Sequence, residues 1–303
     1  MRGVARMKVE DPAGVAPNPT RRGLKKGLYL VPSAFTAANI ALGFYAVMAS
    51  LRGFQLISGG GDGDLRRATL LFDHAAIAIG FAVVCDALDG RIARMTKTTT
   101  EIGVQFDSIA DVTTFGIAPA VLAYAWGVGS ALREGSASHK LGWFISFLYL
   151  MCGAFRLARF NVQATRPRVL AEGSVKVDKK SFVGLPIPAA AATIAAIIHF
   201  APRPLVLYGP RLSEIFSGLM IALIGFLAVL MVSTLRYSSF KSVGVGRRGT
   251  RVMILTAATG IMLIYLYSRY VLLGLVTCYL LQGILLKMWS MIRPRPHVEH
   301  EVT

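Results

Sequence analysis

Long apolar runs recur along the chain and constrain its fold more than any other feature of the sequence. A helix of roughly 20 apolar residues is long enough to cross the hydrocarbon core of a bilayer. Because backbone polar groups in lipid must be hydrogen-bonded internally, continuous runs of this length favour helices. The sequence therefore predicts an all-α fold, a polytopic integral membrane helix bundle of about eight transmembrane helices. The eight runs lie at about 34–51, 69–92, 103–128, 141–163, 186–201, 213–235, 251–268 and 270–290.

The distribution of polar residues divides the chain into three regions. Residues 1–32 are polar and basic, and the pattern over 20–32 predicts a short interfacial helix at the N-terminus. Residues 33–235 contain the first six apolar runs and form the main membrane domain. Residues 236–303 add two C-terminal transmembrane helices and a cytoplasmic tail.

Basic residues are spread unevenly among the loops between the apolar runs. The chain has 33 Lys and Arg against 16 Asp and Glu, an excess that would suggest nucleic acid binding in a soluble domain. Here the basic residues lie mostly between apolar runs, where they set topology and contact membrane lipids. One set of alternating loops, including both termini, holds 23 of them and the other set holds 8. We therefore expect a multi-pass protein of the inner membrane, with both termini in the cytoplasm and no nucleic acid partner.

Four aspartates lie in or beside runs that otherwise read as membrane helices. Asp86 and Asp89 are near the end of the second run, and Asp107 and Asp111 are at the start of the third. An ionised carboxylate in hydrocarbon costs a few kcal/mol, so such residues usually serve a function. Residues three or four apart share a helix face, and an antiparallel hairpin places all four at a similar depth. We therefore expect a functional site near the cytoplasmic face.

The four carboxylates favour a metal site. Convergent carboxylates cannot all stay ionised in a low dielectric unless cations compensate them. Oxygen-only ligation suits hard divalent cations such as Mg²⁺ or Mn²⁺, and four carboxylates can hold two ions about 4 Å apart, as in phosphoryl displacement. Small residues on the same helix faces, Gly90, Ala93 and Gly103, leave room for a ligand, and Arg94 suits a phosphate oxygen.

Two other interpretations explain the four aspartates less well than a metal site does. Interhelical ion pairs with Arg91 or Arg94 could explain one carboxylate, but they explain four poorly. An ion-coupled membrane transporter would also need intramembrane acids. Transporter acids are expected on several helices near the midplane, whereas these are confined to one hairpin.

The spacing of these residues resembles the signature of the CDP-alcohol phosphatidyltransferase family. The pattern is Asp-x2-Asp-Gly-x2-Ala-Arg-x8-Gly-x3-Asp-x3-Asp, and the chain matches it at all eight defined positions from Asp86 to Asp111. The resemblance implies an enzyme that transfers the phosphatidyl group of CDP-diacylglycerol to an alcohol and releases CMP. It also implies a divalent metal cofactor with two ions, a homodimer, and a family membrane domain within residues 33–235.

The resemblance further implies a role for each residue of the signature. The metal ligands would be Asp86, Asp89, Asp107 and Asp111, and Asp111 would also be the catalytic base for the incoming hydroxyl. The residues lying against the CDP moiety would be Gly90, Ala93, Arg94 and Gly103.

The signature does not specify the acceptor alcohol, so the acceptor must be inferred from polar residues outside it. Arg156 and Arg159 are three residues apart near the cytoplasmic end of the fourth run, where a guanidinium suits a carboxylate or a phosphate. Together with Asn161 and Asn39 they are the candidate acceptor or phosphate contacts. The alternative is that the arginines reach lipid headgroups or pair with the aspartates.

Three further segments resemble the bacterial branch of the family that uses L-serine as its acceptor. These are Phe115–Pro119, Phe182–Pro188 and Val31–Asn39, although Ser33 stands where that branch is expected to have Asn. We therefore favour serine as the acceptor. Glycerol 3-phosphate and inositol phosphate remain alternatives, because a phosphorylated acceptor would suit the additional basic residues Arg166, Arg168, Lys179 and Lys180.

Overall fold

The computed structural model of the protein describes residues 19–96, 101–165, 181–233, 235–238 and 247–292. The side chains before Ala34, and those of several residues near other helix ends, lie outside this description.

Helices account for nearly all of the described residues. Two three-residue strands, β1 (Ser181–Val183) and β2 (Arg236–Ser238), form a small antiparallel pair. The third apolar run contains two π-helical segments, Val112–Ile117 and Tyr124–Val128, and a 3₁₀-helix covers Leu205–Tyr208. The α-helices are α1 (Pro19–Gly59), α2 (Asp62–Thr96), α3 (Glu101–Asp111), α4 (Ala118–Ala123), α5 (Ala137–Thr165), α6 (Ile187–Phe200), α7 (Pro210–Val232) and α8 (Arg247–Ile292).

Six helical segments among the described residues are long and apolar enough to cross a membrane, and α6 is a shorter apolar helix. The prediction of an all-α, polytopic membrane bundle is therefore confirmed. The six segments are Ala34–Gly59, Asp62–Ile92, Ile102–Val128, Ala137–Val162, Pro210–Val232 and Ala258–Gly283.

The structure differs from the expected arrangement of helices at both ends of the chain. The seventh and eighth apolar runs are two arms of α8, which bends at the non-helical residue Tyr267 (φ −134°, ψ 43°). The expected boundary at Ser268 and Arg269 is thus a kink, because two residues are too few for a loop between helices. At the N-terminus, residues 20–32 are helical but continuous with α1 rather than a separate short helix.

Small residues allow the first two helices to pack closely. The buried faces of α1 and α2 are rich in alanine, and Phe72 of α2 is completely buried among them. A Cβ atom on Gly53 would lie 3.0 Å from the Phe72 ring. Since apolar side chains gain little by leaving lipid, small residues that let backbones approach are the usual basis of such packing.

The π-helical segment Val112–Ile117 packs in the centre of the bundle, where two hydrogen bonds join it to other helices. Thr114 donates its hydroxyl to the carbonyl of Asn39 at 3.0 Å, and the fully buried Tyr149 donates to the carbonyl of Phe115 at 3.0 Å. A π-helical turn leaves carbonyl groups out of the regular α-helical pattern. These contacts tie α1 and α5 to the segment that begins directly after Asp111.

Candidate active site

The end of α2 and the start of α3 bring three of the four signature aspartates together. Carboxylate oxygens of Asp86, Asp107 and Asp111 all lie within 4.8 Å of one another. The grouping follows from helix geometry, since α2 ends and α3 begins with their acidic faces turned toward each other. We refer to this end of the helix bundle as the acidic end.

Asp89 has a different immediate environment. Its Oδ2 accepts a 2.5 Å hydrogen bond from the Thr36 hydroxyl of α1, and the residue is 7% exposed. Its charge still acts on Asp107 and Asp111, so it belongs to the same electrostatic cluster. A hydrogen bond to one oxygen of a carboxylate fixes its orientation and leaves the second oxygen to point elsewhere. Thr36 therefore orients the fourth carboxylate of the site.

Asp111 is the most deeply placed carboxylate of the three that cluster. It is 9% exposed, and its Oδ1 has no hydrogen-bond partner among the described residues. Buried polar atoms are almost always satisfied in folded proteins, so such an atom at a cleft indicates a missing ion, water or substrate. The donor set contains only carboxylate oxygens, which suits a hard divalent cation. The aspartate cluster can therefore hold a divalent metal ion.

Arg156 supplies positive charge beside the aspartates. It is 6% exposed, interacts electrostatically with Asp111 and Arg159, and lies with its guanidinium carbon 4.6 Å from the centre of the Phe160 ring. Its Nε has no hydrogen-bond partner among the described residues. Burying a guanidinium beside a ring and a carboxylate costs free energy unless the guanidinium also binds a ligand. Of the two arginines expected at the acceptor site, Arg156 is thus described as acting electrostatically on an aspartate of the cluster.

The two asparagines expected at the acceptor site lie in different surroundings. The Asn161 amide donates a 2.8 Å hydrogen bond to the Ser108 hydroxyl, which links α5 to α3. Asn39 is 1% exposed, and its Oδ1 has no partner among the described residues.

The expected CDP contacts are only partly described. Gly90 is half-buried one residue after Asp89, and Gly103 is exposed one helical turn before Asp107. The side chains of Ala93 and Arg94 lie outside the described residues, as do Arg166, Arg168, Lys179 and Lys180.

An open groove of about 510 Å³ runs between α3 and α5, along the face of α3 that carries Ser108 and Ile109. Ser108 and Asn161 lie at its polar side, and its walls are mainly apolar. A groove with such walls suits a hydrocarbon chain. Its walls include Ile109, Val112, Ala154, Leu157, Ala158 and Val162.

Sequence reasoning missed Thr36, which donates a hydrogen bond to Asp89, and Tyr279, which acts electrostatically on Arg156. Thr36 lies three residues before Asn39 and so shares its helix face, a spacing that could have indicated it. Tyr279 of α8 interacts electrostatically with Arg156, although it follows the signature by more than a hundred residues. No local pattern in the sequence connects Tyr279 to the aspartates.

The chain belongs to the CDP-alcohol phosphatidyltransferase family, whose pattern it matches over residues 29–230. The prediction of a phosphatidyltransferase is therefore confirmed, and the transporter interpretation is not supported.

Proteins named CDP-diacylglycerol--serine O-phosphatidyltransferase are among its curated relatives. One from Helicobacter pylori (strain ATCC 700392 / 26695) is 33% identical over 216 residues, which cover 71% of this chain and 75% of the relative. One from Methanocaldococcus jannaschii is 30% identical over 162 residues, covering 54% and 62%. One from Saccharomyces cerevisiae is 33% identical over 171 residues, covering 56% and 54%.

Proposed function

We propose that this protein transfers the phosphatidyl group of CDP-diacylglycerol to the hydroxyl of L-serine and releases CMP, a step of phospholipid biosynthesis. The observation that carries the proposal is the carboxylate cluster of Asp86, Asp107 and Asp111 beside the buried Arg156. The names of the relatives from three distant organisms support serine as the acceptor.

The aspartates are proposed to hold two divalent cations, Mg²⁺ or Mn²⁺. Asp86, Asp107 and Asp111 already have their oxygens together, and Asp89 would join them through Oδ1, since Oδ2 accepts the hydrogen bond from Thr36. Bound there, the cations would neutralise charge on the transferring phosphoryl group and on the leaving phosphate.

Asp111 is the proposed catalytic base. Its buried Oδ1 lacks a hydrogen-bond partner among the described residues and can accept a proton. The serine hydroxyl gives its proton to Asp111 while its oxygen forms a bond to the phosphorus of the phosphatidyl group. The bond from that phosphorus to the CMP phosphate oxygen breaks, and the electron pair leaves with CMP.

The donor is proposed to lie across the end of α2 and the start of α3. Glycines at 90 and 103 carry no side chain and allow the cytidine nucleotide to approach the backbone. Ala93 and Arg94 would complete this contact, with the Arg94 guanidinium on a phosphate oxygen. The groove between α3 and α5 suits an acyl chain of the donor, because its walls are mainly apolar.

Arg156 is proposed to bind the carboxylate of serine. A guanidinium and a carboxylate form short, charge-assisted hydrogen bonds with a defined geometry. Since Arg156 acts electrostatically on Asp111, a serine carboxylate held by Arg156 would place its hydroxyl near the base. Arg159, Asn161 and Asn39 are proposed as additional acceptor or phosphate contacts.

We also propose on which side of the membrane the site lies and how the protein assembles. We place the acidic end of the bundle at the cytoplasmic face of the inner membrane, because the basic loop segments favour that side. CDP and serine would then arrive from the cytoplasm while the acyl chains stay in lipid. We propose a homodimer only by analogy with the family. We also propose that the chain divides into the three regions 1–32, 33–235 and 236–303.

The proposal is tested with purified full-length protein in mixed micelles. CDP-diacylglycerol and Mn²⁺ or Mg²⁺ are supplied with serine, glycerol 3-phosphate or inositol phosphate, and both CMP and the lipid product are measured. We expect CMP release that requires the metal and serine, with phosphatidylserine as product. Efficient turnover of glycerol 3-phosphate with none of serine would reject serine as the acceptor while preserving the reaction class.

A further inference from the structure

Thr36 is a buried threonine of α1 whose hydroxyl reaches another helix. It donates a 2.5 Å hydrogen bond to Oδ2 of Asp89 in α2, and the two residues are 6% and 7% exposed. A threonine inside a helix can donate to the carbonyl one turn earlier, as Thr69 and Thr193 do in this chain. The Thr36 hydroxyl is directed at one of the four signature carboxylates.

The part of α1 that carries Thr36 is held against the segment that follows the last aspartate. The carbonyl of Asn39, about one turn later, accepts a 3.0 Å hydrogen bond from the hydroxyl of Thr114, in the π-helical segment Val112–Ile117. One further turn along, a Cβ atom on Gly43 would lie 2.8 Å from the Thr114 Cα, so the two backbones are in close contact there. The Thr36 hydroxyl therefore has a fixed position from which to hold the carboxylate.

The hydrogen bond from Thr36 makes the two oxygens of the Asp89 carboxylate unequal. Oδ2 accepts the hydroxyl proton, whereas Oδ1 is the oxygen that can turn to the cluster of Asp86, Asp107 and Asp111. Turning both oxygens toward one cation would take Oδ2 away from the hydroxyl. That rotation costs free energy, because a buried donor would lose its charged acceptor. Thr36 therefore leaves Asp89 one oxygen with which to bind a cation.

Divalent cations differ in how they use the two oxygens of a carboxylate. Mg²⁺ requires a near-ideal octahedral set of ligands and keeps several water molecules, so one oxygen from each carboxylate suits it. Mn²⁺ also suits an octahedral set of oxygen ligands. Ca²⁺ is larger, takes roughly six to eight oxygens and accepts both oxygens of one carboxylate. A carboxylate restricted to one oxygen therefore favours the smaller cations.

We infer that Thr36 is a specificity-determining residue of the metal site, whose hydrogen bond limits Asp89 to one coordinating oxygen and so selects Mg²⁺ or Mn²⁺ against Ca²⁺. The inference rests on the proposed metal site of the aspartates. Thr36 lies 50 residues before Asp86 and outside the signature, and it acts on the cation only through Asp89. It is therefore a positioning residue and not a ligand.

The test measures cation binding directly, without turnover. Mn²⁺ affinity is measured by calorimetry on purified full-length protein in detergent, and Ca²⁺ affinity by its competition with bound Mn²⁺. Thr36→Val removes the hydroxyl at nearly constant volume, and Thr36→Ser retains a hydroxyl. Thr69→Val is the matched control, because its hydroxyl bonds to its own helix and it precedes Asp86 by 17 residues, about 25 Å along α2.

The expected result is a change in the preference between the two cations. For Thr36→Val the preference for Mn²⁺ over Ca²⁺ should fall about tenfold, the lower end of the range for residues that orient metal ligands. The reason is that Asp89 can then present both oxygens. Thr36→Ser and Thr69→Val should keep the wild-type preference, and the thermal midpoint of each protein is measured to verify folding.

The other outcomes separate this inference from the proposed function. An unchanged preference in Thr36→Val would overturn the inference, and so would an equal loss of affinity for both cations. If wild-type protein binds neither Mn²⁺ nor Ca²⁺, the proposed metal site is wrong and the inference is rejected with it. A Thr36→Val protein that does not fold is replaced by Thr36→Ala, which also lacks the hydroxyl and to which the same outcomes apply.

Discussion

At the scale of single residues, the site assigns different environments to chemically identical side chains. Asp89 is oriented by Thr36, whereas Asp111 has a buried oxygen with no partner among the described residues. Asp86 lies with Asp107 and Asp111 on the side where the oxygens converge. One residue type can therefore serve as ligand, oriented ligand and base, because its surroundings differ.

Two substitutions distinguish the proposed base from a residue that is proposed only to bind metal. For Asp111→Asn we expect kcat to fall by about 10²-fold to 10⁴-fold with CMP binding largely retained, since an amide cannot accept the proton. For Asp86→Asn we expect a loss of Mn²⁺ affinity of at least about tenfold, because a charged ligand is removed. Metal titrations of activity and CMP binding by calorimetry measure both effects.

Asp62→Asn is the matched control for these two variants. Asp62 is an exposed aspartate at the opposite end of α2, and its substitution should change neither measurement. Near-normal turnover by Asp111→Asn would show that another group accepts the proton.

At the scale of elements, close backbone contact decides where the acidic hairpin sits. Gly43 of α1 faces the π-helical segment that begins directly after Asp111. A Cβ atom there would lie 2.8 Å from the Thr114 Cα and 2.5 Å from its hydroxyl oxygen. Because one of those atoms is backbone, a rotamer change cannot relieve the overlap. Gly43 thus sets the distance between α1 and the helix that carries Asp107 and Asp111.

The glycine contact predicts a difference between two conservative substitutions. Gly43→Ala should lower stability by about 1–3 kcal/mol and reduce activity, since α1 must move away from the π-helical segment. Gly80→Ala in α2 is the control, because a Cβ atom there would meet nothing within 4 Å. It should be neutral or slightly stabilising, as alanine is the better helix former. Thermal unfolding in detergent compares the two, and equal midpoints would contradict the close-contact argument.

At the scale of the whole molecule, the two ends of the bundle carry different polar side chains. The aspartates and Arg156 lie at one end, and Asp73, His199 and Ser268 lie at the other. An enzyme that combines a lipid donor with a polar acceptor needs its charged site near one membrane surface. We predict which membrane surface this is from the distribution of basic residues, because the packing of the helices does not indicate it.

The orientation can be checked at the two ends of one helix. In a variant without the native cysteines, Asp62→Cys and Met95→Cys place single thiols at opposite ends of α2, and both positions are exposed. A membrane-impermeant maleimide added to intact cells should label Cys at position 62 and leave position 95 unlabelled until the membrane is opened. The reverse pattern would place the aspartates outside the cytoplasm.

Much of the fold could be predicted because its causes are local in sequence. Apolar runs of membrane length predicted the helices, and the runs agree closely with α5, α6 and α7. The kink at Tyr267 was predicted instead as a boundary between two helices, since hydropathy does not distinguish a bend from a turn. The sequence did not indicate that α1 extends back to Pro19, because a basic segment can itself be part of a long helix.

For the candidate site, the sequence by itself determined that Asp86, Asp89, Asp107 and Asp111 would meet near one end of a hairpin. Helical periodicity and the short connection between two runs are sufficient for that result. Only the tertiary structure decided that Thr36 donates a hydrogen bond to Asp89 and that Arg156 acts electrostatically on Asp111. These contacts join residues far apart in the chain, so they depend on how whole helices pack, which no local spacing specifies.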